Sequence, residues 1–402
     1  MTRFSTRIAA LCCAALAISS ASQAQRPVKN KAPKITPVPV VQPAASTDAA
    51  VAGSTTTTFA QVMQTSQSAP TPANIMPSPA APPAPLTEAQ LDDLFFPKQA
   101  SPDTQHSFAL TFNGFRRSTL DPCGCVSHQL GGLDKEAQLY ERLDAKKIPS
   151  IRVDAGGFVR ESPSNVALTR SRYLMQGLAA LKMDVINVAS TDMQGGIPYL
   201  KELQTSNSLT FVSANIVDQT SEPLFAAYQI VPVQLASGDT VRVGVIGVTA
   251  QRPLLKGPAA GKPASSLDGT YTITDPAEAL KKHLPELRKK ADIVVALIYD
   301  NRENAKVLLS SLGADSGINF AVNGENMAPN AAMETLPGDV RLVSGGFEGR
   351  QSGQIIATVK DKKLVAAANQ YIEIVQTIPV VPPITKIVEA AKQAVLAPIP
   401  GQ

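Results

Sequence analysis

Two cysteines separated by a single glycine, Cys123-Gly-Cys125, with His128 three residues further on, are the most chemically distinctive group in this chain. A disulfide between cysteines two apart closes a small, strained ring that is comparatively easy to reduce. Gly124 supplies the backbone freedom such a ring needs. Cys123, Cys125 and His128 are also three soft or borderline donors within six residues, a set able to hold a metal ion. The plainest alternative is a structural disulfide that pins the loop. The spacing is neither Cys-x-x-Cys-His nor Cys-x-x-Cys, so neither covalent haem attachment nor a thioredoxin-like motif is indicated. Arg116 and Arg117, just upstream, could lower a thiol pKa or attract a phosphate, or simply be solvated.

A second set consists of oxygen donors. Short apolar runs at 108–112, 150–154, 184–188, 210–214 and 293–298 read as buried strands. The pattern between them predicts helices over 133–145, 165–182 and around 198–203. Hairpins are expected around Ser237-Gly238-Asp239 and Asp361-Lys362, and Asp275-Pro276 opens a helix ending near Lys290. Crossover units mixed with hairpins predict two sheets packed between helices. In such layered folds ligands bind beyond the carboxyl ends of strands. The residues falling there include Asp154, Asp192, Asn215 and Glu325, and oxygen donors suit one hard divalent cation such as calcium, magnesium or manganese. Each could equally cap a helix or a turn, as Asp and Asn commonly do.

Composition bounds the rest. With 37 Lys and Arg against 33 Asp and Glu, the 402-residue chain has no electrostatic footprint for nucleic acid, and three histidines exclude a His-rich metal centre. Arg3 and Arg7 precede an apolar run from Ile8 to Ile18 and the small-residue exit Ser22-Gln23-Ala24, the pattern of a signal peptide over 1–24. That run is too short to span a bilayer, no later segment looks transmembrane, and the expected location is periplasmic or secreted. Residues 25–100 hold 13 of the 32 prolines amid Ala, Ser and Thr, the composition of a disordered linker. At its end Thr87-x-x-Gln90 reads as a capping box, with Leu91, Leu94 and Phe95 at helical spacing. The main domain is expected over 101–375, and a tail over 376–402 carries a short amphipathic helix with Ile384, Ile387, Val388, Ala391 and Val395 on one stripe.

Asp121-Pro-Cys-Gly-Cys125, Gln129-Leu-Gly-Gly-Leu133, Val153-Asp-Ala-Gly156, Ser213-Ala-Asn215 and Val243-Gly-Val-Ile-Gly-Val-Thr249 resemble, in order and spacing, the amino-terminal domain of the 5′-nucleotidase and UDP-sugar hydrolase family. The match is to its branch with a Pro-Cys-Gly-Cys loop, over roughly residues 106–375. The resemblance implies an α/β fold, the four-layer αββα sandwich of calcineurin-like metallophosphoesterases, which in active relatives holds two divalent metals. It carries over Asp154 and Asn215 as site residues. Against that pattern, no Asp-x-His closes the first strand, and the second carboxylate of Asp-x-x-Asp is Gly157. The Asn-His pair reads Thr191-Asp192, the next histidine position holds Tyr299 or Asp300, and Gly-His-x-His reads Gly324-Glu325-Asn326-Met327.

The expected function is therefore an exported protein of this fold without the two-metal hydrolytic centre, serving in binding or in redox or metal chemistry at Cys123 and Cys125. One alternative is a phosphoester hydrolase with a reduced site on Asp154, Asp192 and Asn215. Another is an interaction module. The partner would be an envelope protein or a small phosphorylated ligand.

Overall fold

In the computed structural model, residues 84–96, 103–124, 129–161, 164–251, 270–327 and 332–396 are described. Residues 1–24, expected to be a signal peptide, and most of the Pro-rich stretch lie outside them, as do Cys125 and His128.

Two six-stranded sheets form the centre. The first is ordered β14-β13-β1-β2-β3-β4. It comprises β1 (Ser107–Asn113), β2 (Ser150–Asp154), β3 (Val185–Asn187), β4 (Phe211–Val212), β13 (Gln351–Lys360) and β14 (Lys363–Glu373). The second is ordered β11-β12-β10-β9-β7-β6. It comprises β6 (Tyr228–Gln234), β7 (Thr240–Thr249), β9 (Ile293–Tyr299), β10 (Phe320–Asn323), β11 (Glu334–Leu336) and β12 (Val340–Ser344). Each has four parallel strands, extended by antiparallel ones. A small ladder joins β5 (Ile216–Val217) to β8 (Thr272–Ile273).

The parallel strands are apolar on both faces because both faces are covered. In β9, Ile293, Val295 and Leu297 point into the inter-sheet core with Phe108, Leu110 and Phe112 of β1 and Val243 and Val245 of β7. Val294, Ala296 and Ile298 point the other way, onto α5 (Pro276–Lys290) and α6 (Arg302–Ser311). The first sheet is covered by α2 (Leu133–Ala145), α3 (Asn165–Ala180), α4 (Ile197–Ser206) and α7 (Pro382–Leu396). The result is the four-layer αββα sandwich.

The Thr87 capping box is formed and starts α1 (Glu88–Phe95), whose Leu91 and Phe95 are buried among Ala109, Leu139, Leu143 and Ile372. The stripe expected near the end of the chain is real: Ile384, Val388 and Ala391 of α7 join the same core as α2 and α3. Asp275 caps α5 as expected. The hairpin at Asp361-Lys362 is a tight turn with both residues left-handed, at φ 48° and 61°. The structure departs from the sequence pattern at α6, which the pattern does not predict, and at β4, which is two residues long rather than five.

Candidate functional site

The carboxyl ends of β1 and β2 meet at Asn113 and Asp154, which are register partners. After β1 the chain runs Gly114 to Ser118 alongside residues 156–158. The amides of Phe115, Arg117 and Ser118 donate to the carbonyls of Gly156, Gly157 and Phe158 at 2.7, 2.9 and 2.7 Å. Three residues of this loop are left-handed without being glycine: Phe115, Arg117 and Ser118, at φ 48°, 50° and 59°. Such a conformation costs about 1–3 kcal/mol per residue and persists only where the surroundings over-determine it. Here it turns the Arg116 side chain into the protein.

Arg116 is 1% exposed. Its Nε donates to Asp154 Oδ2 at 2.7 Å, while Nη1 and Nη2 donate to the two oxygens of Glu136 at 2.8 and 2.9 Å. Glu136 also accepts from Tyr140 at 3.0 Å and from Asn113 at 3.1 Å, and Asp154 Oδ1 accepts from the Gly156 amide at 2.9 Å. Burial penalises all three charges. The Arg116 charge and its paired N–H bonds outweigh burial at Glu136 and hold that carboxyl below its usual range. At Asp154, with one guanidinium bond, burial wins and the pKa is raised.

Burial pushes the Asp192 carboxyl up to about 7. It does so against three backbone amides, Gly157, Val159 and Ala189, which donate to its oxygens at 3.0, 2.7 and 2.8 Å. Asn215 donates to the carbonyls of Thr249 and Thr274 at 2.8 and 2.9 Å and accepts from the Thr249 amide at 2.9 Å. Asp192 therefore ties the loops after β2 and β3, and Asn215 joins the first sheet's side to the second. Of the four oxygen donors singled out in the sequence, the structure brings Asp154 and Asp192 to neighbouring loops. It satisfies the polar atoms of Asp154, Asp192 and Asn215 with protein partners. Glu325 is half-buried at the end of β10.

Tyr299, at the end of β9, is fully buried against Phe115 and Ala189, with Phe347 beside them. Its ring lies over Gly157, where an added Cβ would come within 2.4 Å of it. Glycine at 157 and the aromatic ring at 299 therefore go together, since a side chain at 157 would occupy the ring's space. Burial raises the Tyr299 hydroxyl pKa well above its usual value. Among the described residues, no group of three or more His, Cys, Asp or Glu is placed to hold a metal ion.

Cys123 lies at the rim. Its amide and carbonyl pair with Leu130 at 2.8 and 3.1 Å, and its Sγ accepts an N–H from Arg350 at 3.1 Å. Cys125 and His128 fall outside the described residues.

In the sequence Arg116 reads as a partner for a thiol or phosphate, or as a solvated residue. The structure corrects this: it is a buried ion-pair centre. Sequence reasoning missed Glu136. Its signal is there, since it lies three residues after Leu133 and four before Tyr140, within the helix's buried stripe. An acid in a first helical turn has an ordinary explanation in the helix dipole, and that hides it.

No family model matches the chain. In sequence it is 28% identical over 229 residues to a 2′,3′-cyclic-nucleotide 2′-phosphodiesterase/3′-nucleotidase of Yersinia enterocolitica, covering 52% of this chain and 34% of that protein. A protein of the same name from Salmonella typhimurium is 27% identical over 181 residues, 42% of this chain and 27% of its own. The chain thus spans about a third or less of the length of these relatives. In structure it is similar to a 5′-nucleotidase precursor from Thermus thermophilus, with a TM-score of 0.58 and 20% identity, covering 72% of this chain and 59% of that one. The calcineurin-like phosphoesterase YfkN of Bacillus subtilis gives a TM-score of 0.57 and 16% identity over 73% of this chain and 98% of that one. The fold is that of a calcineurin-like metallophosphoesterase. Sequence and fold together make this a domain with the calcineurin-like metallophosphoesterase fold, similar to the corresponding domain of the 5′-nucleotidase family.

Two outcomes follow from the site. Replacing Arg116 by Met leaves two buried carboxylates without their cation and should cost about 3–5 kcal/mol, read from urea unfolding; a loss below about 1 kcal/mol would show that the guanidinium is not their partner. Asp192 takes up a proton on folding between its ordinary value of 3.8 and about 7, so its contribution to stability falls as pH rises through that window. Comparing melting temperatures at pH 5 and 7.5, Asp192→Asn should flatten this slope relative to the unaltered protein, and equal slopes would contradict the assignment.

Proposed function

We propose that this chain is an exported metallophosphoesterase-fold protein that binds rather than hydrolyses, with the Arg116 guanidinium standing where the fold's catalytic metal charge would be. The observation that carries this reading is the fully buried pairing of Arg116 with Asp154 and Glu136. Two catalytic metals about 3.5–4 Å apart need a bridging carboxylate and a ring of further ligands. Here the bridging position is Gly157 under the Tyr299 ring, Asp154 is engaged by a guanidinium, and Asp192 and Asn215 are spent on backbone groups. The residues present do not fit a metal pair. A guanidinium satisfies carboxylate charge through directed N–H bonds, but it has no open coordination position at which to activate water.

The location is read from the basic flank, apolar run and small-residue exit of residues 1–24. Among the described residues no helix is long and apolar enough to cross a membrane. Nucleotide-type ligands are the class suggested by the relatives' names.

A second activity is favoured at Cys123 and Cys125, where the Arg350 N–H on Cys123 Sγ supplies a cationic neighbour suited to thiol chemistry.

Metal content and hydrolysis test the first reading on the purified full chain. The expected result is substoichiometric divalent metal and no Mn²⁺-dependent cleavage of a generic phosphomonoester. Tightly held metal together with hydrolysis that vanishes in Asp154→Ala would overturn it in favour of a one-metal hydrolase on Asp154, Asp192 and Asn215. For the cysteines, free thiols counted before and after reductant should rise by two per chain, and a count that does not change would remove the disulfide and its redox chemistry.

A further inference from the structure

Directly above Arg116 the loop from Phe347 to Arg350 carries a carboxylate surrounded by three further guanidinium groups. Glu348 Oε1 lies 3.3 Å from Arg117 Nη1 and 3.9 Å from Arg160 Nη2, and its Oε2 lies 3.3 Å from Arg350 Nη2. The Glu348 side chain is only 9% exposed, whereas those of Arg117, Arg160 and Arg350 are 22%, 51% and 33% exposed, so the cations open to solvent and the anion is enclosed by them. Two of these cations approach the Phe347 ring, the Arg117 and Arg350 guanidinium carbons being 5.9 and 5.0 Å from its centre. Cation–ring attraction helps to hold both side chains in place.

Two features bear on how Glu348 sits in this cluster. It is left-handed, at φ 50°, a conformation a residue with a side chain adopts only under constraint. Arg350 Nε is buried and has no hydrogen-bond partner, so the carboxylate leaves donor capacity unused. Glycines at 345, 346 and 349 flank the segment and give it backbone freedom to turn outward. Counting Glu161, which pairs with Arg117 at 2.9 Å, the cluster holds three cations against two anions while Glu348 is in place. When Glu348 leaves, two positive charges are uncompensated.

We propose that Arg117, Arg160 and Arg350 form a binding site for a phosphoryl dianion, and that Glu348 occupies it in the free protein as an internal stand-in. Three guanidiniums converging from separate directions match a tetrahedral group with three terminal oxygens better than a planar carboxylate with two. The site requires no metal and none of the buried groups beneath it. It deepens the reading of a non-hydrolytic protein, resting on it only in that the ligand stays intact.

The test is titration calorimetry of the full chain with inorganic phosphate at fixed ionic strength, since exposed arginines are screened by salt. The unaltered protein should bind weakly and saturably. Removing the internal competitor with Glu348→Gln should tighten binding about tenfold or more, as the competent state becomes the populated one. Arg350→Met should abolish it, and acetate at the same concentration should not compete. Unchanged affinity in Glu348→Gln, retained affinity in Arg350→Met, or equal binding of acetate would each overturn the proposal. Should Glu348→Gln lose its cooperative melt, Arg160→Met decides, because that side chain is half exposed and its loss should weaken phosphate binding several-fold in a folded protein. Hydrolysis of a bound phosphomonoester would count against the non-hydrolytic reading and leave the anion site standing.

Discussion

The arrangement of this protein depends on a single buried cation. Arg116 sits where the ends of β1 and β2 meet the helix α2, and it is the group that reconciles Glu136 with Asp154. A buried carboxylate must be paired, protonated or metal-bound. In the fold's hydrolytic members a metal pair meets that requirement. Here the same electrostatic demand is met by a side chain of the chain itself, delivered by a loop held in an otherwise unfavourable left-handed conformation. The strain in that loop and the ion pair beneath it belong together: the three amide bonds to residues 156–158 fix the loop, and the loop fixes the guanidinium.

The packing around the pocket agrees with this arrangement. The Tyr299 ring requires glycine at 157 and packs against Gly324. Asp192 accepts from backbone amides, and Asn215 links the sheets. Here Asp154, Asp192 and Asn215 all have their polar atoms satisfied by protein partners. Further out, the arginines of the rim and Cys123 are the polar groups nearer solvent.

Much of the fold was legible in the sequence because it follows from local periodicity. Alternating apolar strands with capped helices between them specify the layers. The Thr87 capping box and the α7 stripe are visible one element at a time, and the glycine-rich and cysteine motifs point to the family resemblance. The missing histidines were equally plain. The fate of the surviving carboxylates was not, because Asp154 reads the same in sequence whether it faces a metal, a turn or an arginine.

What the sequence by itself determined was the set of groups available: the αββα layering, the absence of the family's histidine ligands, and an Asp154 retained after the second strand. Only the tertiary structure decided what those groups do. Arg116 and Glu136 are twenty residues apart and meet through the sheet, and Tyr299 reaches Gly157 from the opposite sheet. Charge compensation is a property of three-dimensional neighbours, and no spacing along the chain reports it.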